Sequence, residues 1–83
     1  MEDIHAKKSW NLFSILMSAK SANDLKEKLG GKNVVNLTVL QKEWEIDTRE
    51  DRKELAYNIT EFMLKGWVKE IGYADVHELH FIN

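Results

Sequence analysis

A small α+β domain, three or four helices followed by a C-terminal β-hairpin, is the fold this chain predicts, and three observations predict it. Two stretches carry a side-chain cap at the start and glycine at the end, the mark of a delimited helix: Ser21 to Gly30-Gly31, and Thr48 to Gly66. A third, near the N-terminus, has apolar residues at helical spacing. Beyond Gly66 the pattern changes to alternation, with a turn signal over residues 72–75. With 83 residues, the chain is too short for two independent cores, since a domain of this size buries only about 60% of its unfolded surface. One domain over residues 1–83 is therefore expected.

The first helix is expected over Ile4 to Ala19. Ala6, Trp10, Phe13 and Met17 share one face at helical spacing, and Leu12, Ile15 and Leu16 widen the apolar surface. The second helix starts at Ser21, with Asp24 three residues on as an acidic variant of the capping box, and buries Leu25 and Leu29. Residues Val34 to Asp47 read two ways. As a strand, Leu40, Lys42, Trp44 and Ile46 share a face; as a helix, Leu37, Leu40 and Trp44 align, with Thr38 and Gln41 spaced as a capping box. The β-branched Val34, Val35, Thr38 and Val39 favour a short strand near Val34–Leu37, with a short helix after it. The next helix begins after Thr48, carries Glu50 and Asp51 in its first turn where they suit the dipole, and buries Leu55, Ile59, Phe62 and Met63. In the hairpin, Trp67, Lys69 and Ile71 oppose Val68 and Glu70, and Val76, Glu78, His80 and Ile82 oppose His77, Leu79 and Phe81.

Composition narrows the function classes. An apolar fraction of 43% and a charged fraction of 31% are those of a folding domain. With no cysteine there is no disulfide framework or zinc knuckle, and no oxidising compartment is implied. Trp10 to Met17 holds six apolar residues in eight, far short of the ~18 that cross a membrane. A cytoplasmic protein without membrane partners is expected. Net charge is −2, and its distribution matters more. Residues 1–33 carry six lysines against four acids, residues 48–65 balance, and residues 66–83 come to −2. The hairpin is thus acidic, whereas a nucleic-acid face usually has a basic footprint.

No reaction chemistry emerges. There is no thiol and no Gly-x-Ser-x-Gly turn for a nucleophile. Gly30-Gly31-Lys32 lacks phosphate-loop spacing and follows a helix instead of preceding one. His77 and His80 lie three apart on a strand and so point to opposite faces, which does not suit one metal. Neither an enzyme nor a cofactor or metal is expected.

What remains is the outward side of the helix after Thr48, which carries Lys53, Tyr57, Thr60 and Leu64, with Arg49 at its edge. Arg49, Arg52, Lys53 and Tyr57 are the candidates for contact with base edges and phosphates, with Thr60 beside them and Lys69 as the cation of the hairpin. Glu50, Asp51, Glu54 and Glu61 lie around the same helix, and Tyr57 and Leu64 suit a protein partner equally.

Over Leu37 to Ile82, a little over half of the chain, the pattern resembles the winged helix-turn-helix superfamily. Leu37-Thr38-Val39-Leu40-Gln41-Lys42-Glu43-Trp44-Glu45-Ile46 is similar to its first motif helix, and Asp47-Thr48-Arg49-Glu50-Asp51 to the turn. Arg52 to Lys65 is similar to the recognition helix, and Gly66-Trp67-Val68-Lys69-Glu70-Ile71 to the start of the wing. The resemblance implies a winged-helix-like fold and a DNA-binding or transcription-regulating role on double-stranded DNA, as a homodimer if the site is palindromic. The alternative is an acidic interaction module or inhibitor that docks on a basic protein partner without binding DNA, with Glu43, Glu45, Asp75 and Glu78 steering the encounter.

Overall fold

A computed structural model describes residues 8–82. Ile4 to Lys7, the expected first turn of the first helix, lie outside them. The elements are α1 (Lys8–Ser18), α2 (Ala22–Lys28), β1 (Val34–Asn36), α3 (Leu37–Glu43), α4 (Arg49–Leu64), β2 (Val68–Tyr73) and β3 (Val76–Phe81). Among the described residues no helix is long and apolar enough to cross a membrane.

Helix α1 packs on α4 and α2 and buries a different stripe from the expected one. Leu12 and Leu16, one turn apart, are buried together with the small Ser9, and Phe13 is half-buried against the core. Trp10 and Met17 stand out in solvent, 58% and 75% exposed. An apolar surface wider than one contact face leaves its choice to the neighbouring elements, and here they select the Leu12 side.

Helix α2 has the expected cap: Ser21 Oγ accepts from the Asp24 N–H at 3.1 Å. Asp24 returns the bond one residue earlier than a capping box would, accepting from the Lys20 N–H at 3.0 Å. That hydrogen bond, and after it the Lys28 ammonium at 3.3 Å, hold the Asp24 carboxyl below its ordinary value. A carboxyl depressed in the folded state contributes stability above its unfolded pKa and loses it as pH falls through the folded one. Asp24→Asn is accordingly expected to lower the neutral plateau of a stability–pH profile while converging with the unaltered chain at acid pH, so that its acid limb is shallower, as denaturation midpoints measured down to about pH 2 would reveal.

Residues Val34 to Asp47 form strand, then helix. The α3 cap is Asn36, whose Oδ1 accepts from the Val39 N–H at 3.1 Å, so the expected Thr38–Gln41 box is replaced. Asparagine is a better cap than threonine and already stands in extended backbone at the end of β1. Leu37 and Leu40 are buried and Trp44 packs against the core, as helical spacing requires.

Three helices close with the same C-terminal motif, in which two successive N–H groups reach back to the carbonyls of the last turn. Gly31 N–H bonds Lys26 C=O at 2.8 Å, Ile46 N–H bonds Gln41 C=O at 2.8 Å, and Trp67 N–H bonds Phe62 C=O at 3.0 Å. The residue before each donor is left-handed. Gly30 and Gly66 fill that position after α2 and α4, but after α3 it is Glu45, at φ 56°. A side chain in that region costs about 1–2 kcal/mol, of which glycine returns part to unfolded-chain entropy. Glu45→Gly is therefore expected to stabilise the fold by about 0.5–1 kcal/mol in urea denaturation.

On α4, Thr48 Oγ1 caps the start by accepting from the Asp51 N–H at 3.0 Å. The buried face is Leu55, Asn58, Ile59 and Phe62. Asn58 takes the place expected of Met63, which is at the exposed margin; its Nδ2 is satisfied by the Glu54 carbonyl at 2.9 Å. Past Gly66, Trp67 stacks on Phe62 with ring centroids 5.3 Å apart, fixing the direction in which the hairpin leaves the helix.

The hairpin is joined by β1 into a three-stranded antiparallel sheet of order β1-β3-β2. Val34 lies opposite His80 and Val35 opposite Leu79; across the hairpin Val68 meets Phe81 and Tyr73 meets Val76. Val68, Leu79 and Phe81 point inward with half-buried Val35. Lys69, Ile71, Tyr73, Glu78 and His80 therefore share the other face. Over the described residues the result is a small α+β domain of four helices and a three-stranded antiparallel sheet completed by the C-terminal hairpin.

Candidate nucleic-acid interface

The register of α4 decides which of its polar side chains are usable. At about 100° per residue, Arg49, Lys53, Tyr57, Thr60 and Leu64 occupy one sector roughly 80° wide, opposite Leu55 and Ile59. All five are exposed, Tyr57 by 63%. Glu50, Glu54 and Glu61 fall together in an adjoining sector about 40° wide. Three of the four acids of α4 are thus segregated to one flank of the cationic and aromatic stripe, with Asp51 farther round toward the core side.

The opposite flank meets the hairpin. Arg52, Ala56 and Thr60 line a cavity of about 120 Å³ whose other walls include Gln41 of α3 and Glu70 and His77 of the hairpin. Arg52 is partly committed here: its Nη1 donates to the Asp47 carbonyl at 3.3 Å, across the turn that precedes α4. Thr60 is committed too, its hydroxyl donating to the Ala56 carbonyl at 2.9 Å. Arg49, Lys53 and Tyr57 remain the side chains most available to a ligand, the first two in the N-terminal half and Tyr57 just past the middle of a helix about 24 Å long.

Lys69 does not join them. It stands on the outer face of β2, whereas α4 packs on the inner face through Val68, because alternate strand residues point to opposite sides. On the inner face Glu70 contacts His77 diagonally across the hairpin, and on the outer face His80 lies 3.0 Å from Glu78. Among the described residues no three histidine, aspartate or glutamate side chains converge as a metal site.

The acidic candidates are dispersed. Glu43 and Glu45 lie at the C-terminal end of α3, Asp75 in the hairpin turn and Glu78 on the outer face of β3. Thr38, at the N-terminal end of α3, borders the turn that holds Asp75, so the length of that helix, about 10 Å, stands between Asp75 and Glu45. Glu45 also accepts from the Lys8 N–H at 3.3 Å.

Sequence reasoning missed three participants. Gln41 and Lys42 border a surface hollow beside the α3–α4 turn, with Thr38 and Glu45. His77 reaches the α4 flank because a two-residue turn at Ala74-Asp75 sets Gly72 opposite it and Glu70 on its diagonal; a hairpin register written from the turn signal would have found that pair. A larger hollow of about 590 Å³, lined among others by Lys28, Lys32, Val34, Val39 and Trp44, lies away from α4 between α2, β1 and α3.

The fold and this helix face define a small α+β domain that exposes the outer stripe of α4, the longest of its described helices. No protein-family model, curated protein or solved structure matches the chain.

Proposed function

We propose that the chain is a winged-helix DNA-binding protein with a transcription-regulating role, and that α4 enters the major groove of double-stranded DNA. The observation that carries this reading is the segregation on α4: Arg49, Lys53 and Tyr57 share an exposed sector, while Glu50, Glu54 and Glu61 are rotated to one side. Arg49 and Lys53 supply contacts to guanine edges or phosphates, Tyr57 packs on sugar or a thymine methyl, and Arg52 and Thr60 border the groove from the hairpin side. A role on DNA accords with the cytoplasmic location expected from composition.

The test is fluorescence anisotropy of labelled mixed-sequence duplex DNA against the purified chain at about 50 mM and about 200 mM salt. Binding that weakens steeply with salt supports the reading. Absence of binding at the lower salt, with protein in the hundred-micromolar range, overturns it and transfers the exposed α4 stripe to a protein partner.

A further inference from the structure

Strand β2 is an outer strand of the sheet, and among the described residues nothing pairs with its second edge. Its hydrogen-bonding phase is fixed. Ile82 N–H donates to the Trp67 carbonyl at 3.0 Å, so Lys69, Ile71 and Tyr73 are the residues that exchange bonds with β3. Val68, Glu70 and Gly72 then turn their N–H and C=O groups to the open side. The other edge of the sheet is a poorer template. In β1, Asn33 accepts from the Phe81 N–H at 2.9 Å, which leaves outward only Val34 and the helix-capping Asn36.

An open edge with this phase constrains how a second copy could add to it. Antiparallel self-pairing about a two-fold axis must place the axis on a residue, since an axis between residues would oppose outward groups to inward ones. On Glu70 the axis sets two carboxylates directly opposite each other, a destabilising cross-strand pair. On Gly72 it slides Glu70 against Ala74 and Lys69 against Asp75, so that most of the ladder falls on turn residues. On Ile71 it satisfies everything at once. Glu70 and Gly72 exchange both hydrogen bonds in each direction, Ile71 meets its own copy in the close non-hydrogen-bonded position, and Lys69 lies opposite Tyr73 twice over. Tyr73, 68% exposed in one copy, thereby places its ring beside an ammonium, a favourable pairing.

We propose that two copies of the chain associate through β2, joining their sheets into one six-stranded antiparallel sheet with its two-fold axis at Ile71. The axis runs through the sheet, so both α4 helices lie on the same side of it. The inference does not depend on DNA binding; a monomer that binds DNA would overturn only the dimer.

The native chain has no cysteine, so Ile71→Cys introduces a single thiol per copy. Across a non-hydrogen-bonded antiparallel pair the two Cα atoms stand about 4.5 Å apart, inside the disulfide range. In Lys69→Cys the corresponding atoms would be about 13 Å apart, outside it. Diamide, which takes two electrons and two protons from a thiol pair, should link Ile71→Cys at least about tenfold faster than Lys69→Cys. Sedimentation equilibrium of the unaltered chain should give a mass that rises toward the dimer over about 10–300 µM, and Ile71→Lys, which sets like charges on the axis, should hold it at the monomer. Equal linking of the two thiol variants, or a monomer throughout that range, overturns the proposal; should Ile71→Lys fail to fold, the linking rates decide.

Discussion

Leu12→Ala is expected to remove about 3–4 kcal/mol of stability, the cost of deleting a leucine from a site that cannot collapse around the cavity. Leu12 has no exposed surface and lies where α1 packs on α4. For a chain of 83 residues, total stability at about 0.05–0.15 kcal/mol per residue is of the order of 4–12 kcal/mol, so this one change consumes about a quarter of it or more. No disulfide offsets the loss. The companion variant Met17→Ala, on the exposed flank of the same helix, should stay within about 0.5 kcal/mol. Urea denaturation of both variants with a common slope measures the difference. Equal losses would mean that α1 buries the Trp10–Met17 side after all.

Lys53→Ala should weaken binding to mixed-sequence DNA about 15-fold at about 50 mM salt, because each phosphate contact contributes a factor set by salt raised to about the 0.9 power. Three cations, Arg49, Arg52 and Lys53, border the proposed face. With three contacts the unaltered chain should lose about 40-fold in affinity between about 50 and 200 mM salt, and the variant should show a slope shallower by about 0.9. Lys69→Ala is the control. Standing on the opposite sheet face from α4, it should leave the slope unchanged. If Lys69 rather than Lys53 carried the salt dependence, the outer face of the sheet and not α4 would hold the DNA.

The candidate site was legible in part. Arg49, Lys53 and Tyr57 follow from a helix whose boundaries are marked by Thr48 and Gly66 and whose buried face is named by Leu55, Ile59 and Phe62. Once those points are known, helical geometry leaves no freedom about which side chains face out. The same geometry gathers Glu50, Glu54 and Glu61 into one flank, but which flank of the stripe meets the hairpin depends on tertiary packing. Lys69 was legible as the cation of the hairpin but not its side of the sheet: alternation says which residues share a face, but not which face meets the helix. His77 and Gln41 reach the α4 flank only through contacts between elements far apart in the chain.

By itself the sequence determined what is encoded within a few residues: the Ser21 and Thr48 caps, the left-handed stops at Gly30 and Gly66, the alternation of the hairpin, and the absence of a disulfide. These rest on short-range hydrogen bonding and backbone sterics, which any chain with those residues experiences wherever they fall. Tertiary structure decided the rest. It made β1 the third strand beside β3, turned Leu12 inward and Trp10 outward, and put Asn36 in place of Thr38 as the cap of α3. Each of these was a choice between local alternatives of nearly equal energy, and burial of apolar surface against a distant element is large enough to settle it.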